Sequence, residues 1–391
     1  MREKELLGVD NPSGGERPEK VFVALGRAYR RLISLYDEPR GLVNEYDKRL
    51  DADELTDSDD ERSTASRQGA SDSEQSADRL YRGYKALRDR IPESIKYLDR
   101  ADVSPTDINV MFKALKLNGD KARSDDTSTL KTRVIFMLST LYPDSESAKR
   151  LLQDPRSKHI RGLQNNTTAE LLCPVDWDWN DEPTRRKIKN REPPFHISSA
   201  DYPRFLFDLG NIDHDDLEKS LFRGLLLLMA YKCVFTSPSS ATEGLEDEDE
   251  DANAENDGLL SAGPLQKRRR TAYSRWQPPP RTRSSVAEIL NMKEVTGRSI
   301  AYICVQVHFA LNDIGSWSRD IVNFDYEAFY NNIVDYFEHP PGPRAEERVK
   351  ELLNWWTEAI FGKVRASSDT SRSTGGSVAR IATQRLAKET M

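Results

Sequence analysis

Two residues of the chain have the types and the spacing of a nucleophile and its base. Cys304 and His308 lie four positions apart, so on a helix their side chains would share one face. There they could act as a thiol and a general base, or as two metal ligands. A reactive thiol needs a partly exposed, electropositive setting, whereas Ile303, Val305 and Val307 around the pair are apolar. The surroundings favour two packing groups, with catalysis or metal binding as the alternative.

A second candidate is a group of carboxylates around two tryptophans. Asp176, Asp178 and Asp181 alternate with Trp177 and Trp179, and carboxylate oxygens are ligands for hard cations. The group has no glycine-centred loop of EF-hand spacing. Because acidic residues are also common in turns, the alternative is a turn without a metal.

A compact basic run has the charge of a nuclear-import signal. Lys267, Arg268, Arg269 and Arg270 are consecutive, and such runs attract import receptors or nucleic-acid phosphates. The acidic run at 246–251 precedes them, so these cations could equally balance it in a solvated loop. We expect nuclear import, with nucleic-acid binding as the weaker alternative because the acidic run repels phosphate.

Three serines are candidates for phosphorylation. Ser58 and Ser71 each precede a glutamate by three positions, and Ser237 precedes Pro238. Phosphorylation of the first two would add negative charge to an acidic segment.

Other features limit the classes of function. The chain has none of the common phosphate-binding, hydrolase, zinc-protease or kinase motifs, so nothing in it calls for a cofactor. Its three cysteines are far apart and unpaired in motif, which predicts reduced thiols in a reducing compartment. The charged first residues do not resemble a secretion signal, and no apolar run is long enough for a membrane span.

Composition indicates that only part of the chain builds a core. Of the 391 residues 37% are hydrophobic and 31% are charged, with a net charge of −7. Globular domains are typically about 45–50% apolar, so polar segments must account for the difference. From these shifts we predict an N-terminal amphipathic helix region, a disordered acidic linker, a second amphipathic helix, a helical core with a disordered insert, and a disordered basic tail. Their respective bounds are 1–50, 51–78, 79–104, 105–361 with the insert at 242–282, and 363–391.

Apolar residues recur at helical spacing, without strand-like alternation, so the predicted fold class is all-α. Within the core we expect one helix from Pro105 that ends at Gly119, another over 127–142, and a central buried helix over 217–235. Residues 161–210 are rich in proline and predict an irregular cover. Further helices are expected at 285, at 299–311, after Asp325 and over 345–361.

Several motifs resemble those of one family. The segments are 123–127 with 130–131, 171–177, 222–241 (ending in FTSPSSA), 298–302 (RSIAY) with 309–311, 326–334 and 352–356 (LLNWW). In their order they resemble an uncharacterised domain family of mushroom-forming basidiomycete fungi, over about residues 105–361. The resemblance implies no activity, cofactor or catalytic residue, and the charged insert departs from the compact form of the pattern.

We therefore expect a non-enzymatic helical protein-interaction or scaffold protein of the nucleus, or otherwise of the cytoplasm. Protein partners, and an import receptor bound at the basic run, follow from that hypothesis. One alternative is a DNA- or chromatin-associated protein of mobile-element origin that uses the basic run and the tail. The other is an enzyme that uses Cys304 with His308, or the carboxylates around Asp176.

Overall fold

A computed structural model describes residues 18–52, 71–237, 285–317, 320–321 and 324–362 of the chain. Ser58, the basic run at 267–270, the predicted insert at 242–282, the predicted tail at 363–391 and most of the predicted linker lie outside the described residues. The all-α prediction is confirmed. The described residues form thirteen α-helices and one antiparallel pair of two-residue strands.

The helices follow one another in this order: α1 Pro18–Leu32, α2 Pro39–Asp51, α3 Asp72–Arg90, α4 Pro92–Leu98, α5 Pro105–Leu141, α6 Glu146–Leu151, α7 Asn166–Leu172, α8 Glu182–Asn190, α9 Leu225–Phe235, α10 Val286–Ile289, α11 Gly297–Leu311, α12 Tyr326–Glu338 and α13 Pro343–Phe361. Strands β1 Asp320–Ile321 and β2 Phe324–Asp325 stand before α12 and pair with each other. None of the described helices combines the length and the apolarity that crossing a membrane requires.

The longest helix, α5, corrects the prediction that a helix ends at Gly119. Instead α5 passes through that glycine and is 37 residues long in all, and α1 crosses it there. A Cβ on Gly119 would lie 2.9 Å from Cγ of Arg30, and a Cβ on Gly26 of α1 would lie 2.8 Å from the carbonyl oxygen of Ala114. The missing side chains let the two backbones approach closely. Gly119 is thus a packing position and not a helix stop.

The most deeply buried helix is α11, in which all 15 residues are buried. The predicted central helix over 217–235 is correct only for its second half, because α9 begins at Leu225. Before it lies a 3-10 turn, and Phe222 adopts a positive φ of 56°. At Gly224 a Cβ would come within 2.0 Å of the carbonyl oxygen of Phe205. The backbone before Leu225 therefore packs against the segment at Phe205 and does not form the first turns of the predicted helix.

Residues 161–210 are only partly the irregular cover that proline content predicts. Two short helices, α7 and α8, lie within this stretch. Both are capped by side chains: Asn165 accepts hydrogen bonds from the backbone at the start of α7, and Asp181 does so at the start of α8. Helices of seven and nine residues span only about two turns, so an apolar repeat has little room to show itself.

Other helix boundaries agree with the sequence more closely. The capping box of Ser285 with Glu288 is confirmed, as are the Asp325 cap of α12 and the Gly362 position after α13, whose φ is 79°. The second amphipathic helix, predicted from residue 79, begins earlier, at Asp72. Residues 72–78 therefore belong to α3 and not to a linker.

A buried ion pair joins α1 to the middle of α5 and to α11. Arg31 binds Asp126 in a bidentate manner, with N–O distances of 2.7 and 2.8 Å. The hydroxyl of Tyr302 donates to the same carboxylate at 2.6 Å. Because each charge is paired and hydrogen-bonded, the interior tolerates it.

A second network joins α3 to α11 and α12. Arg82 binds Glu338 at 2.6 Å and Asp335 at 2.9 Å, Arg79 binds Asp335 at 2.7 Å, and Arg298 binds Glu338 at 2.5 Å. Burial alone would raise the pKa of Glu338, but Arg298 and Arg82 outweigh it, so the pKa is lowered. Buried side chains from α1 to α13 also form one continuous hydrophobic cluster. The N-terminal helices and the core therefore share one interior.

Candidate functional site

Cys304 lies in the centre of α11 and is fully enclosed. Its side chain has no exposed surface, and burial raises the pKa of its thiol well above the ordinary value. A nucleophilic cysteine needs the opposite shift, since the thiolate is the reactive form. Cys173 and Cys233 are also buried, and burial raises the pKa of these thiols to about 12 and about 11. The geometry favours the packing interpretation for all three.

His308, one turn further along α11, lies among aromatic rings. It stacks on Phe324 with ring centres 4.1 Å apart, and Phe205 and Phe329 flank it at 6.3 and 5.5 Å. Burial, and then the charge of Lys158, lowers the pKa of His308 to about 3. The imidazole is therefore neutral at pH 7. Its Nδ1 is hydrogen-bonded to the hydroxyl of Tyr326 at 3.0 Å, which leaves Nε2 as the nitrogen that can serve another group.

The ring of His308 lines a cavity of about 80 Å³ at the C-terminal end of α11. Its other polar lining includes Arg191, His196, Asn312 and Asp313. Arg191 and His196 are exposed whereas His308 is buried, so the cavity leads from the surface to the imidazole. This volume holds several water molecules or the edge of one planar ring.

The wall of this cavity is set by a glycine. Gly162 has a φ of 61°, and a Cβ there would lie 3.1 Å from both the backbone nitrogen and Cγ of Asp313. A side chain at this position would be strained and would press on Asp313. The glycine therefore keeps the loop at 162 against residue 313.

Two buried cations stabilise the same end of α11. Lys158 donates to the carbonyl oxygen of Phe309 at 2.6 Å, and Arg161 donates to that of Ala310 at 2.7 Å. Positive charge at a helix C-terminus is favourable because the last carbonyls carry partial negative charge. Burial, followed by the charge of Arg161, lowers the pKa of Lys158 to about 7. These two side chains are structural supports of the cavity wall.

The residues after the cap of α8 form a strongly basic surface. Five of the seven residues at 185–191 are cations, namely Arg185, Arg186, Lys187, Lys189 and Arg191; we call these five the α8 surface. Arg186, Lys187 and Arg191 are exposed, and only Ile188 points into the protein. Within the described residues Arg185 alone of the five is in an ion pair, with Glu182.

An aromatic pair connects the α8 surface to the cavity. Trp177 and Phe195 meet edge to face with ring centres 5.1 Å apart, and both pack on the small cluster that contains Ile188. Phe195 also lines the cavity, as does Arg191 at the end of α8. Basic helix, aromatic pair and cavity thus form one contiguous candidate site.

The model of a family of unknown function (DUF6698) matches residues 118–361. The chain belongs to this family. No curated protein and no solved structure gives a match.

The family segment contains the whole candidate site but not the whole fold. The α8 surface and the cavity lie within 118–361. The segment begins inside α5, later than the start at 105 suggested by the motifs. Arg31, Arg79 and Arg82, which pair with carboxylates of the segment, precede it. Those arginines therefore complete the interior from outside the family segment.

The carboxylates around Asp176 serve local structure. Asp178 accepts a hydrogen bond from the backbone of Asn180, and Asp181 accepts one from Thr184 as the cap of α8, both at 2.9 Å. Hydrogen bonds from Thr184 lower the pKa of Asp181, and Asp176 is exposed. Across the part of the chain that the structure describes, no three histidine, cysteine or acidic side chains converge as metal ligands would.

Two of the three candidate phosphorylation sites are described. Ser71 is exposed and forms a capping box with Glu74 at the start of α3, where the backbone nitrogen of Ser71 donates to the glutamate at 2.8 Å. Ser237 is partly buried just after α9. Capping explains the Ser71 and Glu74 spacing without phosphorylation, and a phosphate on Ser71 would compete with Glu74 for the helix end.

Sequence reasoning missed the α8 surface. An unbroken run of four cations at 267–270 stands out, whereas Ile188 and Asn190 interrupt the run at 185–191. Counting charge in a seven-residue window, with Trp177 and Phe195 on either side, would have found it.

Proposed function

We propose that the protein is a non-enzymatic helical protein-interaction or scaffold protein that acts in the nucleus. The observation that carries this proposal is the enclosure of Cys304 and His308 in the interior. A buried thiol with a raised pKa and an imidazole whose pKa is about 3 are poorly suited to nucleophilic or general-base chemistry at pH 7. The cavity reaches His308 but not Cys304, which is absent from its lining, so no thiol meets a molecule that enters it, and this favours binding over catalysis.

The surface of α5 supports a protein partner. Leu117 is 69% exposed and Phe136 is 46% exposed, although neighbouring positions of the same helix pack into the core. Scattered apolar residues are normal on surfaces. Large side chains that are exposed on a rigid, well-anchored helix are nevertheless suitable anchors for another protein, because ordering them costs little entropy.

A pull-down of the intact protein from its native cell tests this proposal. We expect a partner in stoichiometric amount, and we expect Leu117→Glu with Phe136→Glu to reduce its recovery. Lys113→Gln with Lys121→Gln, also on the exposed side of α5, is the control that makes the same change of −2 in net charge. A second comparison deletes residues 242–282. Absence of any stoichiometric partner from the intact chain would contradict the proposal.

Nuclear import through Lys267, Arg268, Arg269 and Arg270 remains a prediction from sequence. It is tested with a fluorescent fusion and a variant in which these four residues are alanine. We expect the variant to shift toward the cytoplasm, since the receptor loses its charged contacts. An unchanged distribution would remove the assignment.

Association with DNA or chromatin through the same run and the tail is the alternative function. Retention on generic duplex DNA at low salt that falls as salt rises is its expected signature. Loss of that retention in the four-alanine variant would favour the alternative over the leading proposal.

A further inference from the structure

We propose that the α8 surface and the adjoining cavity form a binding site for single-stranded nucleic acid, with phosphates on the helix and one unpaired base at the cavity mouth. This site is separate from the run at 267–270, and it goes beyond the protein-interaction role proposed above. The argument rests on the position of the charges, on the aromatic pair and on the lining of the cavity.

The cations of the α8 surface are arranged for an extended anionic chain. At about 100° per residue, Arg186, Lys187 and Lys189 project within about 80° of the direction opposite Ile188. Lys189 has as its partner the neutral side chain of Asn166, at 2.8 Å. Arg186, Lys187 and Arg191 form no ion pair with another described residue. A phosphate chain would supply the close ion pairs that these three side chains lack among the described residues.

The aromatic pair provides a planar surface beside these charges. Unpaired bases stack on aromatic side chains, and this stacking separates nucleic acids from other polyanions. Phe195 is partly exposed, meets Trp177 edge to face and lines the cavity. A base that follows the phosphates off the end of α8 at Arg191 therefore arrives at Phe195.

The interior of the cavity suits the edge of a base and not a phosphate. Asp313 places a carboxylate in the lining, which repels phosphate and accepts hydrogen bonds from the amino groups of bases. Asn312 and the neutral imidazole of His308 add uncharged polar side chains to the lining. The phosphates consequently belong on α8 and the base belongs in the cavity.

Two other partners fit less well. In a duplex the base edges are paired and stacked, so no base is free to enter a cavity of about 80 Å³. An acidic peptide would neutralise the cations, but acidic side chains carry neither a planar ring to stack on Phe195 nor an amino group to donate to Asp313. Both become outcomes of the test.

The experiment measures fluorescence anisotropy of a labelled, mixed-sequence 15-nucleotide DNA strand with the full-length protein over a range of salt concentrations. The test variant carries Arg186→Gln, Lys187→Gln and Lys189→Gln. Its matched control carries Lys113→Gln, Lys121→Gln and Arg133→Gln, three exposed cations of α5. We expect the slope of log Kd against log salt to fall by about 2 in the test variant, since each lost phosphate contact contributes about 0.7. The control should retain the wild-type slope.

A third variant tests the base contact. Phe195→Leu keeps an apolar side chain on the small cluster but removes the stacking surface. It should weaken single-strand binding between about 5-fold and about 150-fold without changing the salt slope. Thermal melting of the variant monitors its folding, so a loss of affinity is assigned to the site only where the melting temperature is kept.

Several results would overturn the proposal. One is wild-type affinity in the α8 variant, or equal weakening in the α5 control. A second is that the protein binds duplex DNA as tightly as the single strand and that Phe195→Leu has no effect. A third is that hexaglutamate competes for binding as strongly as the unlabelled strand does. A further one is loss of binding only when residues 267–270 are changed to glutamine. The pull-down tests the exposed residues of α5 and not the α8 surface, so its result and the result of the anisotropy experiment can be distinguished.

Discussion

Replacement of Gly26 by alanine is the sharpest test of the crossing between α1 and α5. The Cβ of the new side chain would lie 2.8 Å from the carbonyl oxygen of Ala114 and 2.9 Å from Cβ of Asn118. Neither atom is the far end of a flexible side chain, so the helices must separate by several tenths of an ångström. Separation in turn lengthens the bidentate contact of Arg31 with Asp126, which joins the same two helices.

One stabilising and two destabilising contributions determine the expected loss of stability. Alanine in place of glycine favours the helix by about 1 kcal/mol. Overpacking of a close contact costs about 1–3 kcal/mol, and disruption of a buried ion pair costs about 3–5 kcal/mol if it is complete. With partial loss of the pair, we expect the free energy of unfolding to fall by about 2–4 kcal/mol.

Gly41→Ala is the matched control. It lies in α2, where the nearest atom to a new Cβ would be Cδ2 of Leu80 at 3.9 Å, an ordinary contact. This variant should gain about 0.5–1 kcal/mol. Urea unfolding followed by circular dichroism measures both. For a urea m value of about 3 kcal/mol per M, the Gly26→Ala midpoint should fall by about 1 M. A Gly26→Ala protein as stable as the wild type would refute the close crossing.

Three further predictions concern buried groups. Asp126→Asn leaves Arg31 buried without a counter-charge, so unfolding should require about 3–5 kcal/mol less free energy, and Arg31→Met combined with Asp126→Leu should restore part of it; additive losses in urea unfolding would speak against the pair. The unfolded imidazole binds a proton below about pH 6.5, whereas folded His308 does so only near its pKa of about 3. The free energy of unfolding should therefore fall by up to about 1.4 kcal/mol for each unit by which the pH is lowered between those two values. His308→Gln should lack this component when unfolding is compared at pH 7 and pH 5, and identical pH profiles would count against a neutral buried imidazole. Finally, Cys173, Cys233 and Cys304 should resist a thiol-reactive disulfide in the native protein and all react in guanidinium chloride; rapid native labelling of Cys304 would show that it is accessible.

The sequence predicts the fold best where local signals act together. For α11, α12 and α13 an apolar repeat coincides with a capping residue or a terminal glycine, and the bounds agree within two residues or so. These signals are local, because a cap satisfies backbone groups of its own helix. The bounds of such helices can be predicted without knowing which elements pack against them.

The remainder depends on contacts between distant segments. Gly119 has the composition of a helix stop, and only the position of α1 explains why the helix continues through it. The candidate site likewise draws Gly162, Phe195 and the pair His308 and Asp313 from three separate stretches. No spacing within the sequence indicates that these residues meet, and Phe195 lies in a segment without helical periodicity. The sequence did place Cys304 and His308 on one helix, and its preference for packing agrees with their burial.

The arginine pairs of the N-terminal helices have a consequence for a cleaved chain. A single cut between residues 53 and 70 would separate a fragment bearing α1 and α2 from the rest. That fragment contributes Arg31 to Asp126, and it contributes Tyr29, Ile33 and Leu42 to the shared interior, all fully buried. The two pieces should therefore co-elute as a nicked complex, and separately expressed halves should reassemble by fragment complementation. If the two pieces stayed apart, the carboxylate of Asp126 would lack its counter-charge in an apolar cleft that is open to solvent.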